Sequence, residues 1–212
     1  MLSTTPSPIL IIAINKRPSF DKSYNHLLSA LKERATIHEA STAAEANAKL
    51  ISLRPTAVLI TTPDFADPKI EILHAGIVAY ANTGGIVVYC GYFASMIQYP
   101  ELEKHFRKSW DLSWTVGAYT KEQIKPNTLC TNSIVYRNDR EPNLPSSYYI
   151  KALFLSGVDR TDALYICEEG STLVPICFKR VRTGYIGFIG DVNPSSETTE
   201  VIVDMCNARG SE

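Results

Sequence analysis

The chain has 212 residues, 45% hydrophobic and 20% charged, with 21 basic and 22 acidic residues and a formal net charge of -1. That length is enough for one large domain with a sizeable core. The balanced charge excludes a nucleic-acid stripe: the densest basic cluster, "FKRVR" at 178–182, alternates like a strand with one solvated face. The longest strongly apolar run, "ILIIAI" at 9–14, is far short of the roughly 20 residues a membrane-spanning helix needs. It is also too short for a secretory signal and has no basic residue before it. The five cysteines, Cys90, Cys130, Cys167, Cys177 and Cys206, are odd in number and form no C-x-x-C. They predict free thiols in a reducing compartment, the cytoplasm. No Cys or His pair has zinc-ligand spacing, so no metal is expected.

In chain order, "MLSTTPSP" (1–8) reads as a disordered lead-in, and 9–212 as a single α/β domain. The run at 9–14 is the pattern of a strand buried on both faces of a parallel sheet. "FDKSYNHLLSALKERA" follows as a helix, with Tyr24, Leu27, Leu28 and Leu31 on one stripe. "TIHEA" (36–40) is a strand. "STAAEANAKLISL" is a helix whose start, Ser41 or Thr42 with Glu45, has the capping-box pattern. "AVLITTP" (57–63) is a strand. A helix carrying Ile70, Leu73, Ile77 and Val78 ends at "NTGG", and "IVVYC" (86–90) is the fourth strand. This β-α-β-α-β-α-β order predicts a doubly wound, mostly parallel sheet of flavodoxin-like architecture.

The middle is less regular. "SMIQYPELEKHFRKSW" reads as a helix interrupted at Pro100; "LSWTVGAY" and "TLCTNSIVYRN" read as strands. "DREPNLPSS" is a loop, and "SYYIKALFLSGV" suits a helix or a strand. "ALYIC", "TLVPICFKRV" and "GYIGFIGDV" then give an antiparallel C-terminal hairpin extension, with turns at Gly170-Ser171 and Thr183-Gly184. A last helix, "SETTEVIVDMCNAR", buries Val201, Ile202 and Met205.

Ligands of such sheets bind at the carboxyl ends of the parallel strands. That edge carries Asn15, the Thr61-Thr62-Pro63-Asp64 corner, Cys90-Gly91-Tyr92 and Gly190-Asp191-Val192-Asn193. "GGIVVYCGYFAS" (84–95) places Cys90 at the corner between strand and helix, where a nucleophile would stand. The corner "NKRPS" offers Lys16, Arg17 and Ser19 to an anion. No G-x-G-x-x-G, Walker A or G-x-S-x-G sequence is present, and a flavin-phosphate loop would want more hydroxyls than Ser19. No cofactor is expected.

The Cys90 corner and the late "RTGYIGFIGDVNPSSE" resemble the class I glutamine amidotransferase-like superfamily, a flavodoxin-like architecture that also includes trehalose-utilisation-type members. The resemblance implies a nucleophile elbow at Cys90 and a late segment carrying a His and a Glu. The chain departs from that pattern. Val88 and Tyr92 stand where amidotransferases have glycines, "DVNPSSE" replaces the His-Pro-Glu group, and no histidine follows His105. The triad is degenerate.

Three readings follow. The first is a non-glutaminase domain that binds a small molecule or partner near Cys90 through Asn15, Thr62, Gly91, Tyr92 and Asn193. The second is a small-molecule hydrolase or lyase. It would use Cys90 as nucleophile with His105 as base, or Asp191 and Glu168 as an acid–base pair, and the Gly91 and Tyr92 N–H groups as an oxyanion hole. The third is a structural or oligomerising module such as a homodimer, for which eleven tyrosines and Trp110 and Trp114 would suit an interface. Whether the chain is an enzyme stays open between them.

Overall fold

The structure, a computed structural model, describes residues 7–64, 68–130, 144–193 and 195–208. Strands β1 (Pro8–Ile12), β2 (Thr36–Ala40), β3 (Ala57–Ile60) and β4 (Ile86–Tyr89) alternate with helices α1 (Phe20–Ser23), α2 (Asn25–Lys32), α3 (Ala43–Leu53) and α4 (Pro68–Asn82). After them come α5 (Phe93–Met96), α6 (Tyr99–Trp110), β5 (Thr115–Pro126), β6 (Tyr148–Ser156), β7 (Ala163–Ile166), β8 (Ile176–Val181), β9 (Gly184–Ile189) and α7 (Ser196–Cys206). The nine strands form one sheet in the order β2-β1-β3-β4-β9-β8-β7-β5-β6.

The first half is the doubly wound sheet that the apolar runs predict. β2, β1, β3, β4 and β9 are mutually parallel. Alternate residues of each strand face opposite cores. Ile9, Ile11, Leu59 and Val88 pack with α2 and α7. Leu10, Ile12, Val58, Val87 and Tyr89 pack with α3, α4 and α6. Thr42 caps α3, its Oγ1 accepting from the Glu45 N–H at 3.2 Å, while the Glu45 carboxylate accepts from the Ser41 N–H at 2.9 Å. The first helix divides at Tyr24, whose backbone leaves helical geometry (φ -107°, ψ 24°).

The second half corrects the expected hairpin extension. β9-β8-β7-β5-β6 is an antiparallel block of four pairings, equal in number to the parallel ones. The ambiguous "SYYIKALFLSGV" supplies β6, a strand. The expected helix does break beside Pro100: α5 ends at Met96, Ile97 and Gln98 are extended, and Pro100 sits in the first turn of α6, where its missing N–H removes no helical bond. Residues 1–6 of the lead-in, most of "TLCTNSIVYRN" and most of "DREPNLPSS" lie outside the described residues.

The antiparallel block curls back on the parallel half. The β6 edge opposite β5 reaches the segment that leaves β9: the Leu153 N–H donates to the Gly190 carbonyl at 2.9 Å, and the Val192 N–H to the Lys151 carbonyl at 2.9 Å. Leu155 and Val174 exchange both backbone bonds beside them. Only a glycine permits so close an approach. A Cβ on Gly190 would lie 2.0 Å from the Leu153 oxygen and 2.9 Å from that of Pro175. Gly190→Ala should therefore cost at least about 2 kcal/mol of stability in urea unfolding. A loss below about 0.5 kcal/mol, the range of an inert substitution, would contradict this account of the closure.

Candidate functional site

Strand order reverses between β1 and β3, and ligands of such sheets bind at the carboxyl edge there. Two threonines stitch it. Thr61 Oγ1 donates to the Ile12 carbonyl at 3.1 Å, and Thr62 Oγ1 to the Ile14 carbonyl at 2.7 Å. Asn15, left-handed at φ 53°, links the ends of β1 and β3 by donating its side-chain amide to the Asp64 carboxylate. The Thr62 hydroxyl is thus spent on backbone, whereas Asn15 and Asp64 form the rim.

The β4 corner decides the chemistry. Cys90 continues the face of Val88, toward α2 and α7, and is 0% exposed. Burial pushes its thiol well above the ordinary range, and the neighbouring Cys206 adds to the rise. A reactive cysteine needs the opposite, a cation or helix N-terminus that stabilises thiolate. In a nucleophile elbow the reacting side chain sits on the strained turn, which holds it in the open. Here the left-handed residue is Gly91 (φ 65°), which has no side chain, and Cys90 before it faces inward. A Cβ on Gly91 would stand 3.1 Å from Thr61 Cβ and 3.4 Å from the Phe20 ring.

His105 is on the wrong face to serve Cys90. It belongs with Tyr89, one residue earlier and so on the opposite side of the sheet. Its Nε2 meets the Tyr89 hydroxyl at 2.6 Å, and Trp110 Nε1–H donates to that hydroxyl at 3.0 Å. Burial, and then the adjacent His74, hold the His105 imidazole well below its ordinary pKa. The Asp191–Glu168 pair is not formed either. Glu168 is exposed in the turn after β7, and β8 stands between β7 and β9.

Asp191 is 5% exposed and anchors the start of α7. Its carboxylate accepts from Thr198 Oγ1 at 2.7 Å, from the Asn193 N–H at 3.0 Å and from Ser195 Oγ at 3.4 Å. Asn193 is exposed beside it. Tyr92 extends the site toward α1: its hydroxyl lies 3.0 Å from Ser19 Oγ and donates to Ser23 Oγ at 3.0 Å. The Arg17 guanidinium lies 5.9 Å from the Tyr92 ring centroid. The hydrogen bonds with Ser19 and Ser23, and the Arg17 charge, hold the Tyr92 phenol below its ordinary pKa. Lys16 is engaged by Asp21 at 2.6 Å and Glu39 at 2.7 Å.

Sequence reasoning missed Tyr24 and Thr198. Tyr24 falls on the helical stripe and does pack there, its ring 4.9 Å from that of Phe20 and 5.2 Å from that of Tyr92. A periodicity argument counts it as apolar and says nothing of its hydroxyl. Tyr24, Gly91 and Asp191 wall a recess of about 10 Å³. Larger hollows lie elsewhere: about 570 Å³ beside Arg54, Tyr80 and Cys206, and about 530 Å³ between α4 and α6. Among the described residues no three His, Cys, Asp or Glu side chains are grouped to hold a metal ion, and no helix is long and apolar enough to cross a membrane. None of the five cysteines is joined in a disulfide.

No protein-family model and no curated protein matches the chain. Solved structures share its fold. A ThuA-like protein of Bacteroides uniformis ATCC 8492 superposes with a TM-score of 0.64 at 9% identity, over 97% of this chain and 91% of that one. A cytoplasmic protein of Salmonella typhimurium LT2 gives 0.65 at 12% identity, over 96% and 100%. A β-galactosidase of Bacillus circulans sp. alkalophilus gives 0.59 at 11% identity, over 96% of this chain but 31% of the enzyme. At these identities the likeness is one of fold: the chain has the architecture of ThuA-like proteins.

The Asp191 environment has a measurable signature. Burial raises its carboxyl above the ordinary carboxylate range, against the lowering by Thr198, Asn193 and Ser195. A proton held more tightly in the folded chain means stability that is present at low pH and lost as pH rises through the raised value. In urea titrations, wild type should lose stability relative to Asp191→Asn as pH rises across that window, then level off above it. A difference that stays constant, or grows with pH, would contradict a raised carboxyl.

Proposed function

We propose that this chain is a non-glutaminase, amidotransferase-like domain of the cytoplasm that binds a small molecule at the carboxyl edge of its sheet without covalent catalysis. One observation carries the reading: at the β4 corner the left-handed position belongs to Gly91, which has no side chain, and the Cys90 thiol is buried with its pKa raised. The likeness to a ThuA-like protein supports the superfamily. Five cysteines with no disulfide among them, and the cytoplasmic protein among the fold's neighbours, support the compartment. The ligand would rest on the rim formed by Asn15, Asp64, Gly91, Tyr92 and Asn193, with Arg17 beside the Tyr92 ring. Thr61 and Thr62 would tie the end of β3 to that of β1 instead of touching the ligand.

A second reading, a hydrolase or lyase, has the raised carboxyl of Asp191 in its favour, since a buried acid of shifted pKa is suited to proton transfer. In that reading Asp191 acts without Glu168. A third, an assembly module, is favoured by the fold's filling only 31% of a β-galactosidase chain.

A screen of small polar fragments against the isotope-labelled full chain tests the first reading. Bound fragments should shift the backbone amides of Asn15, Gly91, Tyr92 and Asn193, and the shifts should persist in Cys90→Ala. L-glutamine should yield no ammonia above the Cys90→Ala background. Hits confined to the α4–α6 hollow, or binding that vanishes in Cys90→Ala, would overturn the proposal.

A further inference from the structure

We propose that the recess between the β4 corner and α7 is a subsite for one hydroxyl group of a neutral ligand, held between Tyr24 and Asp191. The proposal rests on the carboxyl edge being the binding edge, as proposed above. Tyr24 is 4% exposed, and its phenolic oxygen is the one buried side-chain polar atom without a hydrogen-bond partner among the described residues. Buried hydroxyls in folded proteins are almost always paired, with protein or with ordered water. Tyr24 lines the recess together with Gly91, Asp191, Asn193, Ser195 and Thr198. Its volume of about 10 Å³ is the room of a single oxygen-sized group. Exposed Asn193 and half-buried Ser195 bring the recess to the surface.

The two polar walls select the chemistry. Tyr24 offers an O–H that has no acceptor. Asp191 is an acceptor: its Oδ2 already takes Thr198 Oγ1 and Ser195 Oγ, whereas its Oδ1 takes only the Asn193 N–H and retains a further lone pair. A group that accepts one proton and donates another within the space of one oxygen is a hydroxyl. A ligand carboxylate has no proton to give and would face the Asp191 charge. A ligand ammonium has no lone pair to accept the Tyr24 proton. Without ligand, one water makes the same two bonds. Tyr24 is therefore a specificity residue of the edge, approached from the helix side, and Asp191 serves both α7 and the ligand.

Tyr24→Phe in the full chain is the test, because Phe keeps the ring packing and removes only the hydroxyl. If the hydroxyl is bonded through a water to Asp191, Tm should fall by about 2–4 °C. A Tm equal to or above wild type would overturn the proposal, since deleting an orphaned buried hydroxyl carries no loss. Glycerol, methylammonium and acetate, at matched concentrations, then serve as probes by amide chemical shift. Glycerol should shift the Gly91 and Asn193 amides saturably in wild type and not in Tyr24→Phe, whereas methylammonium and acetate should leave them in place. Glycerol shifts that survive in Tyr24→Phe would sink the subsite yet leave the edge as a binding site. The same amides answering to methylammonium or acetate instead would overturn the hydroxyl assignment.

Discussion

Two backbone hydrogen bonds between β6 and the segment leaving β9, Leu153 to Gly190 and Val192 to Lys151, hold the carboxyl edge together. They fix Asp191 between the parallel half and the antiparallel half. Asp191 is then placed to take Thr198 and the Asn193 N–H, which orients α7. α7 in turn covers the face of the sheet on which Cys90 lies. The closure tolerates no side chain at its contact point, which is why Gly190 stands there. Fold and site share one constraint: the residue that closes the sheet immediately precedes the carboxylate that lines the recess.

The function turns on the period of a strand. Along β4 successive side chains point to opposite faces, so Tyr89 and Cys90 belong to different cores. Tyr89 draws His105 and Trp110 into a buried hydrogen-bonded group on the α4–α6 side. Cys90 sits on the α2–α7 side among apolar neighbours that disfavour a thiolate. The left-handed turn comes only at the next residue, which is a glycine. The turn is present in the backbone, and its left-handed residue carries no side chain. What remains at the edge is a set of hydrogen-bonding groups, Asn15, Asp64, Tyr92, Asp191 and the Tyr24 hydroxyl, suited to holding a ligand.

The parallel half was legible because its signals are local. Runs such as "ILIIAI" and "AVLI" have no polar face, and Thr42 with Glu45 caps α3 as its pattern requires. The antiparallel half was not. "YYIKALFLS" has residues that suit either conformation, and what makes it β6 is pairing with β5 and with the β9 exit, both distant in sequence. Topology alone brought Asn15, Gly91 and Asp191 to one edge. It could not show which residue at the β4 corner would take the left-handed conformation, and so which side chain would face out. Nor could it separate Glu168 from Asp191, since the intervening β8 is set by strand order. Tyr24 was hidden by its own ring, which satisfies the helical stripe.

The central claim is that the thiol of Cys90 is inaccessible and not activated. The direct measurement is the alkylation rate of each cysteine in the native chain against pH, read by peptide mass spectrometry. Cys167, half-buried at the surface, is the internal reference, and Cys177, fully buried, is the slow limit. The account predicts that Cys167 labels first and that Cys90 labels as slowly as Cys177, only when the chain unfolds. Rapid labelling of Cys90 with a midpoint below about 7.5 would show an activated thiolate and contradict the account.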